Sequence, residues 1–104
     1  MLKEELEERL IKIDEEIYAA FRNSSFSFTI VGGSALILNY DSDRGTPDID
    51  VLNLDSRIQS LALKYDMNCR VNAFEDCFPY NYQDRLVEYT DYKFKVCNFY
   101  LFFS

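Results

Sequence analysis

FSFTIVGGSALILNYDSDRGTPDIDV, residues 26–51, is the stretch whose reading decides the fold. Residues 26–31 are aromatic and β-branched and predict a short buried strand. Gly32-Gly33 breaks that strand, and Ser34 caps a helix through Leu36, Ile37 and Leu38. Asp41-Ser42-Asp43-Arg44-Gly45-Thr46-Pro47 has the composition of an exposed loop. Residues 48–53 then alternate polar and apolar. That alternation predicts a strand with Asp48 and Asp50 on one face and Ile49 and Val51 on the other.

Upstream, Leu2, Leu6, Leu10, Ile13, Ile17 and Phe21 recur every three or four residues with Glu and Lys between them, so the chain opens on an amphipathic helix. Its apolar side packs on the sheet and its acids face water, and Asn23-Ser24-Ser25 stops it. Downstream, Asp55 or Ser56 caps a helix through Ile58, Leu61, Ala62 and Tyr65, and a short strand is expected near residues 69–73. Residues 74–84 carry no clear pattern. Residues 86–89 and 93–103 read as two strands around a Thr90-Asp91-Tyr92 turn. The well-marked elements run α-β-α-β-α-β-β, an α/β (α+β) fold class with helices packed on a small mixed β-sheet.

With 104 residues the chain is one domain, 1–104, without internal repeats. Hydrophobic residues make up 48%, including nine Phe and eight Tyr, enough for a core and too much for a disordered chain. Eleven Lys and Arg against eighteen Asp and Glu leave −7, which argues against non-specific binding to nucleic acid or anionic membranes. The excess is local: residues 1–16 hold seven acids against three bases, and residues 41–55 hold five against Arg44. No histidine is present, which removes the Ser-His and Cys-His arrangements of hydrolases. Cys69, Cys77 and Cys97 form no CxxC pair, so zinc ribbons and a disulfide framework are disfavoured and the thiols read as small core residues. A cytoplasmic protein without membrane attachment is expected.

The chemistry falls between residues 31 and 51. A strand running into Gly32-Gly33 and then directly into a helix N-terminus lets backbone N–H groups approach a phosphate, and Ser34 adds a hydroxyl. Asp48 and Asp50 stand about 7 Å apart along one strand face, a spacing suited to holding Mg²⁺. Taken alone, a Gly-Gly pair is a tight turn and Asp-x-Asp a solvated strand. Their order and shared context give the pair its meaning. A calcium loop over Asp41-x-Asp43-x-Gly45 fails because Gly45 occupies a ligand position and Leu52 stands where a bidentate Glu is needed. Tyr80, Tyr82, Tyr89, Tyr92 and Tyr100 could stack a base but read as core and rim residues.

Val31-Gly32-Gly33-Ser34 followed by Arg44-x-Thr46-x-Asp48-Ile49-Asp50-Val51 resembles the signature of the nucleotidyltransferase superfamily. That superfamily includes polymerase beta, the CCA-adding enzymes and bacterial minimal nucleotidyltransferases. The likeness is greatest to the bacterial branch near the AbiEii-type toxins, to which the Tyr82-Gln83-Asp84-Arg85-Leu86 stretch is also similar. The resemblance implies that Gly32, Gly33 and Ser34 hold a nucleoside triphosphate, with Arg44 and Thr46 on phosphates. It implies that Asp48 and Asp50 are catalytic and bind Mg²⁺ or Mn²⁺. The reaction implied is transfer of a nucleoside monophosphate to an RNA or protein hydroxyl.

Two departures accompany it. Active relatives add a third carboxylate on a later strand, whereas residues 93–104 hold none, leaving Glu88 or Asp91 as stand-ins. Relatives also continue into a C-terminal helical part, so a truncated or degenerate member is expected. The alternative reading is a catalytically inactive interaction module that forms a homodimer, or binds a protein partner, through an unfinished C-terminal edge strand at residues 99–103.

Overall fold

A computed structural model of the chain describes residues 1–40 and 45–102, with the side chains of all but residues 74 and 75. Arg44, the calcium-loop acids and Phe103 therefore lie outside the described residues. The elements are α1 (Lys3–Ala20), β1 (Phe26–Val31), α2 (Gly32–Tyr40), β2 (Ile49–Leu52), α3 (Gln59–Lys64), β3 (Met67–Asn68), β4 (Val87–Glu88) and β5 (Cys97–Leu101). Short 3₁₀ segments occupy Ser56–Ile58, Arg70–Cys77 and Tyr82–Arg85. The mixed α/β class read from the sequence is the class observed.

The sheet order is β3-β2-β1-β5-β4. β1 runs antiparallel to β2 and parallel to β5, β2 runs parallel to β3, and β4 runs antiparallel to β5. Alternation along each strand sorts side chains onto two faces. One face carries Phe28, Ile30, Ile49, Val51, Met67, Phe99 and Leu101, all buried against Leu6, Leu10, Ile13 and Ile17 of α1 and against apolar residues of α2 and α3. Phe28 and Phe99 face each other in register with ring centroids 4.8 Å apart. The other face carries Asp50, Thr29, Tyr100 and Glu88, and its apolar part is confined to Val31, Leu52 and Phe102 under Val71, Phe78, Tyr82 and Leu86.

α1 begins where its sequence pattern begins. Glu5 accepts the Leu2 N–H at 3.2 Å, and Glu4 and Glu5 complement the positive end of the helix. One of its acids does not face water. Asp14 is 3% exposed, and its carboxylate accepts N–H groups from Lys95 (2.8 Å), Val96 (2.9 Å) and Cys97 (3.0 Å). The amides of Lys95 and Val96 go to this carboxylate and not to a strand neighbour, and β5 begins just after them, at Cys97 and not at residue 93. Burial, reinforced by Asp14, pushes the Cys97 thiol well up and makes it an inert core group. Cys69 is half-buried against the core and Cys77 is exposed, so the reading as core residues fails at Cys77.

The strand expected near residues 69–73 is displaced towards the N-terminus. Asp66 takes a left-handed backbone (φ 63°), its carbonyl accepts the Ile49 N–H at 2.8 Å, and the chain joins the sheet at Met67. The Asn68 side-chain oxygen then accepts the Arg70 N–H at 3.0 Å and turns the backbone off the sheet into the 3₁₀ segment.

The C-terminal strand is also not where the alternative reading put it. β5 lies inside the sheet between β1 and β4, with Phe99 fully buried, and β4 pairs with it at Tyr100 and Leu101. The edges are the two-residue strands β3 and β4. No helix among the described residues is long and apolar enough to cross a membrane.

Candidate functional site

β1 feeds α2 with no intervening loop, and Gly32 makes that possible. Its φ of 70° lies in the left-handed region, where a Cβ costs about 1–2 kcal/mol, so a glycine is the natural residue for this corner. α2 starts at Gly32, two residues before the cap expected at Ser34. The first N–H groups of α2 have no partner within the helix, which gives this end its affinity for anions.

β2 brings the acids to the same corner. The register pairs Val31 with Asp50, and a Cβ built on Gly32 would sit 3.6 Å from Oδ2 of Asp50. One on Gly33 would sit 3.8 Å from Oγ1 of Thr46. Bare backbone thus faces a carboxylate on one side and a threonine on the other. Asp50 is half-buried and has no hydrogen-bond or ion-pair partner among the described residues.

Asp48 sits one residue ahead of β2, and its backbone is braced from two directions. The hydroxyls of Ser34 and Thr46 both donate to the Asp48 carbonyl, each at 3.0 Å. The Thr46 N–H in turn donates to the Met1 carbonyl at 3.0 Å, tying this loop to the segment before α1. Ser34 is 2% exposed, so the sequence-assigned hydroxyl is committed inward and positions Asp48. Gly32, Gly33, Ser34, Thr46, Asp48 and Asp50 are therefore gathered at one corner.

Two residues that sequence reasoning missed complete it. Asn68 of β3 lies beside Asp50 in register, and its amide donates to the Ile49 carbonyl at 3.4 Å. The Arg70 guanidinium forms an ion pair with the Asp48 carboxylate. Asn68 and Arg70 have the same two-residue spacing as Asp48 and Asp50. That repeated spacing is the signal that could have flagged them, once β3 was known to lie next to β2.

The stand-ins for a third acid are elsewhere. Glu88 shares the Asp50 face but is three strands away, about 14 Å at ordinary strand spacing. Asp91 is paired with Lys3 at 3.8 Å. No group of three His, Cys, Asp or Glu suited to a metal occurs among the described residues. The donor set is two carboxylates, all oxygen, with one uncommitted. That matches a Mg²⁺ ion, which is typically held by one or two carboxylates together with substrate phosphates.

A family described as a nucleotidyltransferase of unknown function (DUF6036) matches this chain over residues 8–103. The chain belongs to that family. No curated protein and no solved structure matches it significantly. The matched span contains the whole corner between β1, α2 and β2.

Proposed function

We propose that this nucleotidyltransferase-family chain binds a nucleoside triphosphate with Mg²⁺ at the corner between Gly32 and Asp50 and transfers the nucleoside monophosphate to a hydroxyl of RNA or protein. The observation that carries the reading is the 3.6 Å approach of the Asp50 carboxylate to the Cβ position of Gly32. A helix N-terminus that favours phosphate and a carboxylate that repels it share one corner. A divalent cation held by the carboxylate would reconcile the two.

The backbone at Gly32 and Gly33 cradles the polyphosphate, while Ser34 and Thr46 fix the Asp48 backbone. Asp48 and Asp50 hold the ion, which neutralises charge on the phosphates when bound. In the reaction the acceptor hydroxyl gives up its proton to water, its oxygen bonds to the α-phosphorus, the bond from that phosphorus to the α–β bridging oxygen breaks, and pyrophosphate leaves with the electron pair. The chain's part is positioning and charge neutralisation, as phosphoryl transfer in general requires.

Titration calorimetry with each of the four common nucleoside triphosphates, with and without Mg²⁺, tests the reading. Binding that requires the divalent ion and is lost in Asp48→Ala and Asp50→Ala is the expected result. Label transfer from α-³²P nucleotides to total RNA and protein then identifies the acceptor. Absence of binding for all four nucleotides, with both variants indistinguishable from the native chain, overturns it.

A further inference from the structure

Arg70 is the cation that contacts the acid pair among the described residues, and nothing in the signature accounts for it. Its guanidinium sits on Asp48, whereas the residue beside Asp50 on β3 is the neutral Asn68. The charges of the corner are therefore asymmetric: one carboxylate is neutralised from within the chain and the other is not. The two ends of Arg70 also differ. Its backbone N–H is fixed by the Asn68 side-chain oxygen at 3.0 Å, while its side chain is 74% exposed. A tethered base with a long, solvated arm can swing without disturbing the fold.

We propose that Arg70 competes with the divalent ion for Asp48 and, once displaced, serves as a cation for the substrate's phosphates. This rests on the reading above and adds a residue to it. The guanidinium contacts Oδ2 of Asp48, so an ion that takes that oxygen displaces it. The guanidinium then needs an anion, and its planar fork of donors suits phosphate oxygens. An exposed ion pair shifts an equilibrium by only a few-fold, so Arg70 tunes ion affinity without blocking the site.

The proposal carries a signature of opposite signs. In Arg70→Gln, affinity for Mn²⁺ alone, followed by electron paramagnetic resonance, rises about fivefold as Asp48 is released. Affinity for the preformed complex of Mn²⁺ with inorganic tripolyphosphate, followed by calorimetry, falls about tenfold as the phosphate contact is lost. Arg70→Lys, which keeps the charge and loses the fork, falls between for both probes. A purely structural role moves both affinities the same way or neither, and either result overturns the proposal. The parent reading is tested separately in Asp50→Asn, which leaves Arg70 in place. If that variant binds both probes as the native chain does, the metal site itself is refuted, whatever Arg70 does.

Discussion

On one face of the sheet Phe28, Ile30, Val51 and Phe99 lie fully buried beneath three helices. On the other face, one residue along the same strands, Asp50 is half-buried and has no partner among the described residues, Asn68 is beside it and Arg70 leans over Asp48. The apolar cover on that face is a small cluster around Phe102 whose Val31 is the register partner of Asp50. The two faces share backbone hydrogen bonds and nothing else. The packed face supplies most of the burial, and the second face, covered only by the Phe102 cluster, leaves Asp48 and Asp50 partly open to solvent.

This division can be broken most forcefully at Phe99. Phe99→Ala removes a ring that is fully buried in register with Phe28 and leaves a cavity, at an expected cost of about 3–5 kcal/mol in chemical denaturation. A loss below about 1.5 kcal/mol, the range of a volume-conserving swap, would show that the helix-covered face is not the main source of stability.

Asp14 tests whether the packed face tolerates charge only where charge is fully satisfied. Asp14→Asn keeps the shape but replaces an acceptor of three backbone N–H groups with an amide that accepts at one atom and brings donors of its own. The expected cost is about 2–3 kcal/mol, with hydrogen exchange accelerated first at the amides of Lys95, Val96 and Cys97. Unchanged protection at those three amides would mean that the start of β5 is held by something other than this carboxylate.

The contrast also explains what could be read from the chain alone. α1, β1 and β2 were legible because apolar periodicity records which side of an element is buried, and that side is the packed face. The glycine pair and the two acids were legible because the turn and the strand that carry them are close in sequence. Asp14 was not, since its partners are 81 to 83 residues away and a lone acid on an amphipathic helix looks like any solvated one. The position of β3 was hidden by a left-handed Asp66, which is a tertiary outcome rather than a propensity. Nor can an apolar strand disclose whether it is an edge: residues 99–101 look the same at the rim of a sheet as between β1 and β4. Arg70 followed from β3, so it was lost with it.

Gly32 and Gly33 give a finer comparison within the corner itself. Gly32→Ala places a Cβ on a left-handed backbone, at an expected cost of about 1–2 kcal/mol, and brings a methyl group against the Asp50 carboxylate. Gly33→Ala meets only ordinary contacts near Thr46, so its expected change is within about 0.5 kcal/mol of neutral. Equal melting temperatures for the two variants would remove the backbone argument for glycine at the strand-to-helix turn.

The smallest stability effect is expected at a residue to which the proposed function assigns the divalent ion. Asp50 has no partner among the described residues, stands near Asp48, and belongs to a chain of net charge −7. Asp50→Asn therefore removes repulsion and no attractive contact, and its unfolding free energy should stay within about 0.5 kcal/mol of the native value or rise. A fall of about 2 kcal/mol would place Asp50 among the groups that hold the fold together, through a contact the open face does not display. A stable Asp50→Asn that no longer binds Mn²⁺ would instead separate the two duties of the sheet cleanly, because one face would have lost its chemistry while the other kept its packing.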